Sequence, residues 1–465
     1  MNNFHFTKII ASVSPLLAKE TVLSKIINLV DVFSITLSHG FDDNNKKYID
    51  TLMKLDNSKT IILETRGQNI RVKNTSDVKV TKGQKITIDY SEYTQESQNK
   101  IYIDYGLLNT LKIGEEILFE HSNVVVKITS IQEDFVEGEI TEAGENIVYQ
   151  YDRVSLPHYE NEQNELSEQD KKDLFRWFEY GTHIVALSMC NSADHLINCR
   201  EFLEDNNHED MNIFAKIETE NGFKNINEIA KVANGIIIVV DKISELKDEK
   251  RLADTIEKLK ENGIPVYVTY TKNLGKDYVL YQEKNIQELC KQWISGIMLE
   301  TLIDEESVFN TILELGENIE KYELQTNEKE IKRFEESEYE IRDYIVYSAY
   351  RVTKELDIKA IICFTENGYT ASKIASLNPK VPIITFTKEN DTYRFLNLIW
   401  GVKGYKISQS FNYESLKRIG KEMIRIIFKG NISLDDKILI IQANEDNSDE
   451  KREMNGIEIY NFKNI

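Results

Sequence analysis

Short apolar runs recur along this chain with amphipathic segments between them, and that rhythm restricts the fold more than any other feature. The runs are Lys8–Val13, Val32–Leu37, Thr60–Leu63, Ile184–Ser188, Asn212–Ile217, Gly235–Val240, Pro265–Thr269 and Gly296–Leu299. Most are rich in β-branched residues and bounded by polar positions or glycine, as strands are. Helical patterns at Ser167–Tyr180, Ala193–Glu204 and Glu245–Asn262 fill several of the gaps. Strand, helix, strand in this order builds a parallel sheet, because a parallel crossover needs a helix-length connection. Such units, repeated about eight times, predict a (β/α)8 TIM barrel.

The rhythm fails between roughly Val72 and His158. Thr81-Lys82-Gly83-Gln84-Lys85-Ile86-Thr87-Ile88-Asp89, Ile101-Tyr102-Ile103-Asp104-Tyr105, Glu116-Ile117-Leu118-Phe119 and Asn123-Val124-Val125-Val126-Lys127-Ile128 read as strands and turns with no helical period. This predicts an all-β domain inserted after the third barrel strand. Leu156-Pro157-His158 marks the return, since proline stops strand pairing. Near Glu338 a further unit begins: a helix over Tyr344–Leu356, a strand over Lys359–Phe364, a turn at Thr365-Glu366-Asn367-Gly368, a helix through Ile374 and a strand over Val381–Thr387. That is an α/β domain. The expected division is a barrel over 1–71 and 159–325, a β-barrel lid insert over 72–158, and the α/β domain over 337–465. The Glu- and Lys-rich stretch 317–336 reads as a solvated helix or linker, and 444–453 as a charged loop.

A chain of 465 residues is too long for one core, so several domains fit. The net charge of −21 argues against nucleic acid or an anionic membrane as partner. It also gives an anionic ligand no general attraction, so such a ligand needs local cations or a metal. The four cysteines form no C-x-x-C pair and the seven histidines show no ligand spacing, which points to buried thiols in a reducing compartment. The first residues do not resemble a signal peptide, and no apolar stretch approaches the roughly 20 residues of a membrane span. The expected location is cytoplasmic. Trp177 and Trp293 read as packing, and Trp400 as core or interface.

Chemistry concentrates at Ile213-Phe214-Ala215-Lys216-Ile217-Glu218. Alternation along a strand points Lys216 and Glu218 to one face. An ammonium beside a carboxylate at a strand's C-terminal end suits a barrel active site, where lysine neutralises a moving phosphoryl group and glutamate holds a divalent metal. The same spacing also fits a surface ion pair.

Motifs along nearly the whole chain resemble those of the pyruvate kinase family. Thr7-Lys8-Ile9-Ile10 with Ser14-Pro15 is similar to T-K-I-V…G-P, Leu37-Ser38-His39-Gly40 to F-S-H-G, and Leu63-Glu64-Thr65-Arg66-Gly67-Gln68-Asn69-Ile70-Arg71 to L-D-T-K-G-P-E-I-R. Ile101-Tyr102-Ile103-Asp104-Tyr105 resembles I-Y-V-D-Y, Leu166-Ser167-Glu168-Gln169-Asp170 resembles L-S-E-K-D, and Lys216-Ile217-Glu218 matches K-I-E. Gly263-Ile264-Pro265-Val266 with Thr269 resembles G-K-P-V…A-T, and Thr365-Glu366-Asn367-Gly368 the loop T-x-S-G. The resemblance implies phosphoryl transfer from phosphoenolpyruvate to ADP in glycolysis, with Mg2+ and generally K+.

The resemblance also implies site residues. Lys216 and Thr269 become catalytic, and Glu218 and Asp241 the carboxylates for the divalent metal. Ser38, Glu64 and Thr65 become monovalent-cation ligands, His39 and Arg71 neighbours of nucleotide and phosphate, and Ser188 a substrate contact. Thr365, Gly368 and Thr370 belong to a C-terminal effector loop, degraded here because Glu366 and Tyr369 replace its cations. Other motifs depart as well. The phosphate-clamping arginine of A-R-L-N-F-S-H-G falls on Ser34, and the asparagine of that motif on Thr36. The aspartate of L-D-T-K-G is Glu64, longer by a methylene. After the strand at Gly235 the family's A-R-G-D-L-G is replaced by Asp241-Lys242-Ile243-Ser244, so that Lys242 or Asp241 stands where the second metal carboxylate belongs. The lid's D-D-G falls on Glu120-His121-Ser122, and a segment for contacts between barrels is replaced near Glu288.

Two readings follow. One is a pyruvate kinase-like chain with impaired catalysis, a structural or regulatory subunit in a homo- or hetero-oligomer with an active paralogue. The other is an active enzyme with a remodelled metal and phosphate site. Neither involves nucleic acid or a membrane.

Overall fold

The computed structural model describes residues 4–13, 19–37, 43–67, 70–90, 99–103, 111–120, 122–150, 152–156, 165–180, 184–269, 283–302, 305–323, 340–407, 413–442 and 456–465. Ser38, His39, most of the linker at 317–336 and the charged loop at 444–453 lie outside these. The chain divides into two compact units, Met1–Thr65 with Asn164–Ile465, and Arg66–Gln163.

Eight parallel strands close into a barrel: β1 (Lys8–Val13), β2 (Val32–Thr36), β3 (Thr60–Glu64), β4 (Ile184–Leu187), β5 (Asn212–Ile217), β6 (Gly235–Val239), β7 (Val266–Thr269) and β8 (Gly296–Leu302). They follow one another around the barrel, and β1 closes on β8 with Lys8 opposite Gly296. The apolar runs therefore mark the strands, with ends shifted by a few residues at most. Local chemistry fixes the helix starts. Ser167 caps the helix Glu168–Phe178 by accepting the Asp170 N–H at 3.0 Å, and Ser192 caps Ala193–Glu204. The third expected helix begins later than Glu245. A 3-10 turn occupies Ser244–Lys247, and Asp248 then caps Glu249–Glu261.

Each strand is buried on both faces. Outward residues pack under the helices in one large core with Trp177 at its centre. Inward residues Ile10, Val32, Ile62, Ile184, Phe214, Ile237, Tyr267 and Met298 fill the barrel's interior, together with Leu398 from the C-terminal domain.

That domain has a five-stranded sheet. Its strands β9 (Ile358–Phe364), β10 (Ile383–Thr387), β11 (Val402–Lys406), β12 (Lys437–Gln442) and β13 (Gly456–Asn461) lie in the order β11-β10-β9-β12-β13, with only β13 antiparallel. The domain seals the N-terminal end of the barrel. Tyr267 Oη donates to Leu398 O, Arg394 Nη2 donates to Asn57 O at 2.7 Å, and Lys8 Nζ donates to Val402 O at 2.8 Å. Trp400 is buried against Phe6 at this junction.

The described residues of the unit Arg66–Gln163 form strands and turns and no helix. A seven-stranded sheet runs from Ile70–Arg71 to Lys100–Tyr102, and an isolated bridge between Val72 and Ile103 links its two outermost strands. Alternating burial along Val124–Ile131 and Phe135–Ala143 turns one face into its own core.

No helix among the described residues is long and apolar enough to cross a membrane. All four cysteines are buried, and burial pushes their thiols up to about 12, which removes them as nucleophiles.

Candidate active site

The pleat of the strands decides what reaches the open end of the barrel. Two residues beyond the apolar interior layer, the same faces carry Ser12, Ser34, Glu64, Lys216 and Thr269, all buried. The interior thus changes from apolar to polar within one pleat, at the C-terminal ends of the strands.

Glu64 ends β3 and Lys216 lies one residue before the end of β5. At this level the strand between them offers the small Ala186 to the interior, so the two side chains meet. Lys216 Nζ donates to Glu64 Oε2 at 2.7 Å, with side-chain exposures of 8% and 3%. Ser34 Oγ donates to the other oxygen, Glu64 Oε1. Sequence reasoning set Glu64 against a monovalent cation and did not pair it with Lys216. The available signal was their common facing, two residues past Ile62 and Phe214.

Thr65 and Ser188 tie the ends of β3 and β4 together. Ser188 N–H donates to Thr65 Oγ1 at 3.1 Å, and Ser188 Oγ donates to Thr65 O at 2.6 Å. The chain then turns through Met189, whose φ of 53° is in the left-handed region. A non-glycine residue there costs on the order of 1 kcal/mol. In that conformation the Met189 N–H donates to Glu218 Oε2 at 2.9 Å. Gly222 allows the next turn to approach: a Cβ at this position would stand 2.4 Å from Cys190 O.

Glu218 follows β5 directly and is buried. Lys242 ends the 3-10 turn Val240–Lys242 that follows the neighbouring β6. Its Nζ donates to Glu218 Oε1 at 3.0 Å. The surface-pair reading of Lys216 and Glu218 is therefore corrected. Both are buried, and each is matched to a different partner, Glu64 for the lysine and Lys242 for the glutamate. The side chain of Asp241 lies outside what the structure describes. Thr269 ends β7 fully buried, and its Oγ1 has no hydrogen-bond partner among the described residues.

Other expected site residues belong to the insert unit or to the C-terminal domain. Arg71 is in the insert, its backbone paired with Arg153. Glu120, also in the insert, is 3.3 Å from Arg153 Nε. In the C-terminal loop, Thr365 Oγ1 accepts the Gly368 N–H at 2.9 Å and Asn367 Oδ1 accepts the Tyr369 N–H at 3.1 Å. Gly368 adopts φ 83° and Thr370 is buried. The N–H groups of the N-cap Gly368 and of the first helical residue, Tyr369, are thus turned to side chains of the preceding loop.

This barrel, insert and α/β order matches two family models. "Pyruvate kinase, barrel domain" covers residues 4–250, and "Pyruvate kinase, alpha/beta domain" covers residues 343–459. The chain belongs to the pyruvate kinase family. A pyruvate kinase of Staphylococcus aureus (strain MRSA252) is 26% identical over 423 residues, spanning 85% of this chain and 71% of that protein. The protein from strain USA300 is similar to the same extent. The crystal structure of Cryptosporidium parvum pyruvate kinase superposes with a TM-score of 0.80 at 18% identity over 98% of this chain and 97% of that one. Its complex with ADP gives a TM-score of 0.78 over 98% and 96%.

Pyruvate kinases generally use Mg2+ and K+, and the geometry here tests whether these residues suit such ions. Mg2+ needs oxygen ligands with lone pairs directed at it. Both oxygens of Glu218 already accept from the chain itself, one of them from an ammonium. Among the described residues no group of three or more acidic, histidine or cysteine side chains stands together. These residues do not fit a divalent cation. Glu64 likewise spends its oxygens on Lys216 and Ser34.

Proposed function

We propose that this chain is a pyruvate kinase-like protein whose phosphoryl transfer is impaired, and that it serves as a structural or regulatory subunit beside an active paralogue. Transfer from phosphoenolpyruvate to ADP relies on positioning and charge neutralisation far more than on covalent chemistry. The observation that carries the reading is the Lys242 ammonium on Glu218. It places a like charge where the resemblance sets a metal. Two features add to it: Ser34 is neutral where the family has its phosphate clamp, and Lys216 is held by Glu64. Losing a single such cationic contact costs several powers of ten in rate.

An active enzyme with a remodelled site is the second reading. It is favoured by Lys216 and Thr269, which remain buried at the open end of the barrel.

The test is purified chain, free of other subunits, with phosphoenolpyruvate, ADP, Mg2+ and K+, and pyruvate formation coupled to NADH oxidation. The expected outcome is turnover far below the usual range of roughly 1–10³ per second. Turnover within that range overturns the first reading. Affinity capture from native lysate should recover an active paralogue, and recovery of this chain alone counts against the subunit role.

A further inference from the structure

We infer that Lys242 is a resident replacement for the divalent cation: its ammonium closes the Glu218 position to metal. The inference rests on the site reading above and adds one assignment, that this lysine is what excludes the ion.

Three observations converge. Lys242 Nζ and the Met189 N–H take the two oxygens of Glu218 at 3.0 Å and 2.9 Å, so each carboxylate oxygen points at a hydrogen and not into open space. Met189 holds a left-handed backbone, φ 53°, to present that N–H, so the polypeptide is built around a carboxylate bonded by its own chain. Lys216, Glu64, Glu218 and Lys242 form two ion pairs, two ammonium groups against two carboxylates. Two carboxylates facing each other would call for a dication, whereas each of these two already has an ammonium against it. Lys242 can serve in this way because its turn follows β6, the strand beside β5, and its side chain is 23% exposed. The ammonium thus keeps part of its hydration while reaching a carboxylate that is 7% exposed. Lysine suits the task as a compact charge on a long apolar stem.

The inference is tested by metal binding, not turnover. Mn2+ is titrated into the purified full-length chain without nucleotide or substrate, and free Mn2+ is followed by its electron paramagnetic resonance signal. The wild type should show no site that depends on Glu218. Lys242→Asp should acquire one, at least about tenfold tighter than any wild-type binding, and the added Glu218→Gln change should remove it. Lys242→Ala, which places no new charge, should acquire a weaker site. Circular dichroism identifies the variants that keep the wild-type spectrum. Wild-type Mn2+ binding abolished by Glu218→Gln overturns the inference. So does the failure of both folded Lys242 variants to bind. The outcome separates from that of the proposed function. Rapid turnover unaffected by EDTA would defeat impaired catalysis and leave Lys242 in its role. A Glu218-dependent Mn2+ site would defeat the lysine's role whatever the turnover.

Discussion

Replacing Lys216 with methionine isolates the energetics of the central pair. Methionine keeps most of the apolar stem and removes the ammonium, which lies 2.7 Å from a Glu64 carboxylate that is 3% exposed. At an effective dielectric of about 20 the gross attraction at this separation is roughly 6 kcal/mol, and desolvation of the two ions offsets much of it. Losing one partner is another matter, because the carboxylate is then buried with the Ser34 hydroxyl as its partner at Oε1. Such a loss costs about 3–5 kcal/mol. Lys216→Met should therefore destabilise the barrel by about 3–5 kcal/mol at pH 7. In the double variant Lys216→Met with Glu64→Met both charges are gone, and most of the stability should return. Urea unfolding followed by fluorescence of the buried Trp177 and Trp293 measures each corner of the cycle. A coupling energy below about 0.5 kcal/mol would refute the reasoning.

Two further outcomes are expected. Glu323 accepts from the N–H groups of Phe6 and Thr7, and burial raises its carboxyl to about 7. The folded chain holds this proton more tightly than the unfolded one, so the cost is absent below about pH 4.5, grows as pH rises, and reaches roughly 3 kcal/mol above pH 7. Glu323→Gln should match the wild type near pH 4.5 and exceed it in thermal midpoint at pH 7.5; a gap independent of pH would contradict this. Gly222→Ala pushes a methyl group to within 2.4 Å of Cys190 O and disturbs the turn that carries Met189. It should destabilise the chain by about 1–3 kcal/mol in thermal unfolding, and an unchanged midpoint would count against close packing there.

The sequence alone determined the architecture. Eight β-branched runs, the break from roughly Val72 and the return to alternating strands and helices carry the barrel, the insert and the C-terminal domain. Hydrophobic periodicity is local and repeated many times over, so a shifted boundary such as the helix start at Glu249 leaves the pattern intact. The family motifs were equally legible, because they are contiguous. The partners in the site were not. Whether Lys216 turns to Glu64 or Glu218, and whether Lys242 reaches Glu218, depends on closure of the barrel, on the small Ala186 between β3 and β5, and on the backbone of Met189. Only the tertiary structure decided these pairings. Charge attraction is set by distances of a few ångströms between residues far apart in the chain, and no local pattern encodes such distances.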